Sequence, residues 1–530
     1  MPVQNVDVAE AFKRMANLLE IRDANPFRVR AYRNAARTIA GLAGNLADMV
    51  KNEEDLTALS GIGDDLAAKI EEMVRTGSME QLDMLEKKIP ASLDDLMRIN
   101  GLGPKRIAVL HEKLGIDDPA QLKAAAEAKR IRELKGFGKK TEAAILAEVR
   151  RMESAEQART LLVTAEQRVN PLLSHLEDAS GVEHLEVAGS YRRRQETVGD
   201  LDILAVCGSR TTVMDRLVEF EDVIRVIARG KTKSSVMLRG DLQVDLRVVP
   251  PKSYGAALHY FTGSKAHNIA IRRIAAGKGL KINEYGVFKG DERIAGESEE
   301  EVYAQVGLPL IVPELREDQG EIDAAKAGDL PELITLSDIQ GDLQAHSTET
   351  DGRASIAQMA EAARDLGYGY LAITDHSKRV TMAGGMDAER LARQIDAIDR
   401  LNEEIKGVRI LKGCEVDILK DGSLDLPDDV LNRLDLTVCA IHYDRDLSKT
   451  KQTERILRAM DNPHFTILAH PTGRIINDRP PYMIDLERIM RGARERGCIL
   501  ELNADPSHLD ITDRQCRRAV ELGVKLAIST

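Results

Sequence analysis

Two aspartates stand two residues apart in the run GDLDILAV: Asp200 and Asp202. In a strand this spacing sends both side chains out of the same face. A third acid, Asp245, sits inside the apolar run LQVDLRVV, where a carboxylate needs a partner to offset its burial. Three carboxylates on neighbouring strands can hold two hard divalent ions for phosphoryl transfer. One ion would lower the pKa of an attacking hydroxyl, and the other would neutralise a triphosphate leaving group. A lone Asp-x-Asp is common on a solvated edge strand. Here Gly189 and Ser190 precede it and allow close approach to phosphates, while Arg192 and Arg193 add cationic donors.

A second set of residues with ligand chemistry lies nearer the C-terminus, where six of the eleven histidines fall between 346 and 508. The candidates are His346 and Asp351 in GDLQAHSTETDG, Asp375 and His376 after YLAIT, Glu415 in KGCEVDI, His442 after LTVCA, and His470 after FTILA. One histidine alone is more often a satisfied polar side chain than a ligand. Recurrence at strand ends changes that, because parallel strands gather their C-terminal ends on one rim. Mixed histidine and carboxylate donors suit Mn²⁺ or Zn²⁺ better than Mg²⁺.

A third pattern comes three times in the first 155 residues: LSGIGDDLAAKI, INGLGPKRIAVL and LKGFGKKTEAAIL. Each reads as an apolar residue, a Gly-x-Gly turn and an amphipathic helix, the helix-hairpin-helix pattern. Glycine pairs Gly61 and Gly63, Gly101 and Gly103, and Gly136 and Gly138 let the backbone approach another surface, and the helix start offers unpaired N–H groups to an anion such as a DNA phosphate. Lys105 with Arg106 and Lys139 with Lys140 follow the second and third turns, but Asp64 and Asp65 follow the first. The second and third hairpins are therefore the stronger phosphate clamps.

A chain of 530 residues holds roughly three or four domains at about 150 residues each. Its net charge of −12 argues against indiscriminate binding to polyanions, yet residues 225–290 carry thirteen Lys or Arg against three acids. Five scattered cysteines without a CxxC pair point to reduced thiols and a cytoplasmic location. The N-terminus lacks the pattern of a signal peptide, and no apolar run approaches the roughly 20 residues needed to span a bilayer. The texture predicts a multidomain α/β and α+β chain. Residues 1–90 form a helical domain with the first hairpin and 91–155 a domain with the other two. Residues 156–255 form a mixed region carrying the aspartates, 256–315 a further subdomain, 316–336 an acidic linker, and 337–530 alternating βα units around a parallel sheet or barrel.

The aspartate arrangement resembles the nucleotidyltransferase fold, and YFTGSKAHNIAIRR, from Tyr260 to Arg273, closely resembles the nucleotide-binding segment of family X DNA polymerases. That resemblance implies a palm at 156–255 and a thumb at 256–315. It implies Asp200, Asp202 and Asp245 as catalytic ligands of Mg²⁺ or Mn²⁺, with Ser190, Arg193 and Gly199 at the triphosphate. Tyr260, Phe261 and Gly263 would face the incoming sugar, Asn268 would reach the base, and Arg272 would lie near the template. Lys265 stands where the animal repair polymerase has an acid. Some such enzymes use a lysine as a Schiff-base nucleophile, and Lys69 falls at the matching place; its acidic neighbours favour a charged, solvated helix lysine instead.

The histidine pattern resembles the PHP domain, carried at the C-terminus of bacterial family X enzymes, which implies metal-dependent 3′→5′ exonuclease activity. Its ligands here would be His346, Asp351, His376, Glu415, His442 and His470. Gln344 occupies the first place of the usual His-x-His pair, and the sequence ends at KLAIST, where an Asp-x-His pair normally follows. From these departures we expect a truncated PHP domain with weak or absent nuclease activity. The expected partners are gapped or primer-template DNA and deoxynucleoside triphosphates, with the protein acting as a monomer and no membrane. The expected role is short-gap filling in base excision repair. A template-independent nucleotidyltransferase and a non-catalytic DNA-binding scaffold are the alternatives.

Overall fold

The computed structural model describes residues 5–22, 24–40, 42, 46–86, 96, 99, 102–134, 136–154, 159–208 and 211–529. It divides into two compact units, Met1–Gly328 and Asp329–Thr530. Among the described residues no helix is long and apolar enough to cross a membrane.

The first unit opens with helices α1 (Asn5–Ile21) and α2 (Pro26–Ala40), followed by α3 (Asp64–Thr76), α4 (Pro104–Leu114) and α5 (Lys139–Ser154). One apolar core, running from Val8 to Val149 through Phe12, Ile39, Ile70, Leu110 and Ile131, underlies all three hairpins. Gly63 and Gly103 cap α3 and α4 without any side-chain hydrogen bond, so the first amides of both helices stay available. Helix α6 (Leu162–Glu177) follows, and its buried Arg168 reaches back to Asp7 at 3.1 Å and Glu10 at 3.6 Å.

Next comes a five-stranded sheet of β1 (Val182–Val187), β2 (Asp200–Cys207), β3 (Val223–Arg229), β4 (Lys233–Leu238) and β5 (Leu242–Val249), ordered β1-β2-β5-β4-β3. Only β2 and β5 run parallel. Leu201, Ile203, Val244 and Leu246 alternate with the acids and fill the core behind them. Edge strand β3 leaves Ile224, Val226 and Ile227 exposed beside Arg225 and Arg229.

Helices α7 (Tyr254–Thr262) and α8 (Lys265–Gly277), the three-stranded meander β6 (Leu280–Asn283), β7 (Gly286–Lys289) and β8 (Glu292–Ala295), then α9 (Glu299–Val306) and α10 (Glu321–Ala327) complete the unit. Its interior is polar at several points. Glu299 bridges Arg192 at 2.8 Å and fully buried Arg316 at 2.5 Å, and His267 joins Glu321 at 2.6 Å and the Tyr303 hydroxyl at 2.8 Å. The acidic stretch read as a linker is therefore folded into this unit as far as Gly328, because Arg316 and Glu321 are needed to pair Glu299 and His267.

The second unit alternates strands and helices: β9 (Gly341–Ala345), α11 (Ile356–Asp365), β10 (Tyr370–Ile373), α12 (Ala388–Glu404), β11 (Arg409–Lys412), β12 (Glu415–Asp417), β13 (Val438–Ala440), α13 (Lys449–Ala459), β14 (Ile467–Leu468), α14 (Leu486–Arg496), β15 (Ile499–Asn503), α15 (Asp513–Glu521) and β16 (Leu526–Ser529). Every strand pair is parallel, in sheets β9-β10-β11 and β12-β13-β14-β15-β16, and β16 returns to lie beside β9. Leu343, Ala372, Leu411, Val438, Ile467, Ile499 and Ala527, from seven different strands, pack into one cluster, as the interior of a barrel requires.

Candidate functional site

The aspartates owe their meeting to strand register. In the parallel pair of β2 and β5, Asp202 lies opposite Asp245, and Asp200 leaves the same face two residues earlier. Antiparallel pairing puts Ser235 opposite Asp245 and Lys233 opposite Arg247, so this face also carries Lys233, Ser235, Gln243 and Arg247. Burial, reinforced by the charges of Asp200 and Asp245, pushes Asp202 up to about 6. Burial works the same way on Asp245, but hydrogen bonds from Lys233, Ser235 and Gln243 outweigh it and hold that carboxyl below its usual range. Lys233 Nζ lies 2.7 Å from Asp245 Oδ2, Arg247 3.7 Å from it, and Gln243 Nε2 3.1 Å from Oδ1.

Crowded like charges on one face, one of them driven toward protonation, are a donor set that divalent ions fit. Space exists beside them: a Cβ added at Gly189, which has φ +65°, would stand 3.5 Å from Asp202 Oδ2. The three carboxylates do not close to within 4.8 Å of one another; among the described residues, two groups in the second unit do.

Those groups are His346, Asp351 and His376, and His376, Glu415 and His442. Glu415, fully buried at the start of β12, is the hub. His346 Nε2 and His376 Nδ1 lie 3.2 and 3.1 Å from its Oε2, and His442 Nε2 and His470 Nε2 lie 3.3 and 3.1 Å from its Oε1. His346 Nε2 and His376 Nδ1 make no hydrogen bond of acceptable geometry despite burial, which is what nitrogens aimed into a shared metal position would do. Burial opposes charge on His346 and His442, yet the neighbouring Asp351 and Glu415 carboxylates raise the first to about 10, and those of Asp417 and Glu415 raise the second to about 9. Such a mixed nitrogen and oxygen set fits Mn²⁺ or Zn²⁺.

Comparison with known proteins gives matches to four family models. Residues 3–79 match the helix-hairpin-helix domain, 93–151 the SAM-like helix-hairpin-helix tandem, 257–317 the DNA polymerase beta thumb, and 342–503 the PHP domain. The DNA polymerase/3′-5′ exonuclease PolX of Bacillus subtilis is 40% identical over 529 residues, 99% of this chain and 91% of that protein. This chain belongs to the family X DNA polymerases that carry a PHP domain. This family X chain also resembles a probable phosphatase of Thermoanaerobacter sp., at 30% identity over 187 residues covering 33% of the chain and 71% of that protein. Polymerase beta of Leishmania infantum, solved as a ternary P/T complex, is 22% identical with a TM-score of 0.29, covering 43% of the chain and 98% of that structure.

Other expected residues of the family X chain lie as follows. Ser190 sits in the short helix Gly189–Arg192. Arg193 donates to Glu317 at 2.6 Å and to the Thr262 carbonyl at 2.5 Å, and a Cβ at Gly199 would lie 3.3 Å from Arg159. Tyr260 and Phe261 meet edge to face with centroids 5.1 Å apart, Arg247 stacks over Phe261 at 4.5 Å, and Arg272 lies 6.0 Å from the Tyr260 ring. Gly263 ends α7 with φ +73°. Asn268 donates to the Tyr260 carbonyl at 2.7 Å, while its own Oδ1 is buried and has no hydrogen-bond partner among the described residues. Lys69 is largely covered rather than solvated, its Nζ bonded to the Asp65 carboxylate and, at 3.2 Å, to the Asp65 carbonyl. Gly101 lies outside the described residues; Gly61, Gly136 and Gly138 are at turns, and nothing lies within 4 Å of a Cβ at Gly63, Gly103, Gly136 or Gly138.

Two residues change their reading. Asp375 is absent from both histidine groups; it accepts from Ser347 N at 2.8 Å, Ser347 Oγ at 2.6 Å, Thr350 Oγ1 at 2.5 Å and Gln394 Nε2 at 2.6 Å, so it braces the loop between His346 and Asp351. Asp417 was missed. It accepts from His442 Nδ1 at 3.1 Å and is paired with Arg379 at 2.9 Å, orienting the imidazole as outer-shell carboxylates do. Its spacing of two from Glu415, the same signal used for Asp200 and Asp202, identifies it.

Proposed function

We propose that the chain is a DNA-directed DNA polymerase that fills short gaps in base excision repair, and that its second unit trims 3′ ends hydrolytically but weakly, with Gln344 in place of the first histidine of the usual pair. The observation that carries the reading is the register of Asp202 against Asp245, with Asp200 on the same face. Mg²⁺ or Mn²⁺ held by Asp200, Asp202 and Asp245 would supply Lewis-acid activation of the primer hydroxyl and charge neutralisation at the triphosphate. The residues do the rest. Ser190 and Gly199 bind the triphosphate, and Arg193 joins them by exchanging Glu317 for phosphate oxygens. Tyr260, Phe261 and Gly263 form a wall against the sugar, Asn268 turns its amide to the base edge, and Arg272 contacts the template. The 3′ oxygen attacks the α-phosphorus in line and pyrophosphate leaves. Gly61, Gly63, Gly101, Gly103, Lys105, Gly136, Gly138 and Lys139 hold DNA phosphates at the hairpin turns.

In the second unit Mn²⁺ or Zn²⁺ would supply a hydroxide from bound water. His346, Asp351, His376, Glu415, His442 and His470 hold it, with Asp417 and Asp375 keeping their neighbours in place. No lyase role is assigned to Lys69, whose amine is taken up by the Asp65 carboxylate.

The two centres separate by mutation. Asp245→Asn should lower templated primer extension by about two orders of magnitude or more while leaving 3′-end trimming intact. Glu415→Gln should do the reverse. Extension that survives Asp245→Asn would remove Asp245 from the catalytic centre, and equal extension on blunt and templated substrates would favour a template-independent transferase.

A further inference from the structure

Lys233 belongs to neither the nucleotide-binding residues nor the metal-binding set, yet its Nζ lies 2.7 Å from Asp245 Oδ2. Asp245 is nearly buried, while the Lys233 side chain is 42% exposed on the opening residue of β4, so of the two only the lysine has room to move. A divalent ion on the same oxygen would sit at about 2.0–2.1 Å for Mg²⁺. Ion and ammonium would then be like charges within about 5 Å, and the flexible four-carbon stem would swing away. The lysine lies in the basic stretch 225–290, next to exposed Lys231 and Arg229. A released ammonium there meets a phosphodiester backbone.

We propose that Lys233 is an internal counter-ion that occupies Asp245 until divalent ions bind, and that its release to a DNA phosphate couples metal occupancy to DNA affinity. The proposal rests on the reading of Asp200, Asp202 and Asp245 as ligands. It makes Lys233 a positioning residue. By linkage, DNA must tighten metal binding as much as metal tightens DNA binding.

The test uses the full chain with ¹³C-methyl methionine. Met237 of β4 lies opposite Gln243, so its methyl signal reports Mn²⁺ arriving at the aspartates, and every variant is made in the Glu415→Gln background to weaken ion binding at the histidine cluster. Without DNA, Lys233→Met should bind Mn²⁺ about three- to fivefold more tightly than wild type, the scale of a half-exposed ion pair. Lys233→Arg and the neighbouring Lys231→Met should stay at the wild-type value. Equal affinity in wild type and Lys233→Met would overturn the proposal, as would equal tightening by Lys231→Met, which would mean a general field effect. Ca²⁺ should tighten binding of a labelled gapped duplex to wild type more than to Lys233→Met; equal tightening would remove the DNA half. A Met237 signal untouched by Mn²⁺ in every variant would instead sink the metal assignment of the aspartates.

Discussion

A Cβ placed on Gly352 would stand 2.0 Å from the carbonyl oxygen of His346. The loop returning from Asp351 thus runs against the backbone of the residue whose imidazole Asp351 holds at 2.8 Å. Gly352→Ala must push that loop away and separate Asp351 from His346. Trimming of 3′ ends should fall by about 10- to 100-fold, the scale for disturbing a ligand's orientation, with primer extension unchanged. Paired assays on one preparation check this.

The helix α7 is held by a similar approach. A Cβ on Gly255 would lie 2.1 Å from the carbonyl carbon of Ser298 and 2.2 Å from its Cα, both backbone atoms with no freedom to yield. Gly255→Ala should cost about 1–3 kcal/mol or more through overpacking. Urea denaturation of the variant should show the lower midpoint, and an unchanged midpoint would contradict the tight packing described.

Protons at the histidine cluster set a pH dependence. His346 and His442 keep theirs in the folded state up to about 10 and about 9, against 6.5 for an ordinary histidine. Without metal, their ion pairs stabilise the second unit fully below pH 6.5, and that contribution disappears as pH climbs from 6.5 to 10. Melting in a chelator should therefore shift to lower temperature across this window. Mn²⁺ competes with the same protons, so its binding should tighten as pH rises and should release protons, which calorimetry in buffers of different ionisation enthalpy detects.

Glu299 stands between Arg192 and Arg316, and replacing it by Gln leaves two guanidinium groups without their carboxylate. Breaking a buried pair this way costs about 3–5 kcal/mol. Glu299→Gln should unfold at markedly lower denaturant, and primer extension should fall with it, because Arg192 also donates to Thr262 at 2.9 Å beside the Arg193 contact.

At the hairpins, Lys105 and Lys139 are exposed in the first turns of their helices. Replacing both by Ala should weaken binding of gapped DNA similarly for all sequences and should flatten the plot of log affinity against log salt by about 2. An unchanged slope would remove both from the phosphate contacts.

Much of this was legible in the sequence because the relevant signals are periodic. Alternation in DLDILAV and LQVDLRVV gave the face of each aspartate, and the repeated apolar runs before His376, His442 and His470 gave a rim of parallel strand ends. What a linear pattern cannot carry is register: nothing local says that Asp202 faces Asp245, or that Lys233 reaches across from the next strand. A lysine in a basic stretch reads as a DNA contact, and its carboxylate partner is visible only once β4 and β5 pair. The acidic run after 315 misled for a related reason. Its charge suggested solvent, but Arg316 and Glu321 are buried because each meets an opposite or hydrogen-bonding partner from distant sequence.

Among the described residues no strand pairs with the far side of the outer strand Val223–Arg229, which ends the first unit's five-stranded sheet and exposes three aliphatic side chains, Ile224, Val226 and Ile227. Such an edge is a template on which another chain can add a strand, and exposed Arg225, between Ile224 and Val226, opposes this by repelling its copy on a second chain. High ionic strength, which screens that repulsion, should therefore promote self-association of the purified chain, so storage conditions that suppress DNA binding are also those that invite precipitation.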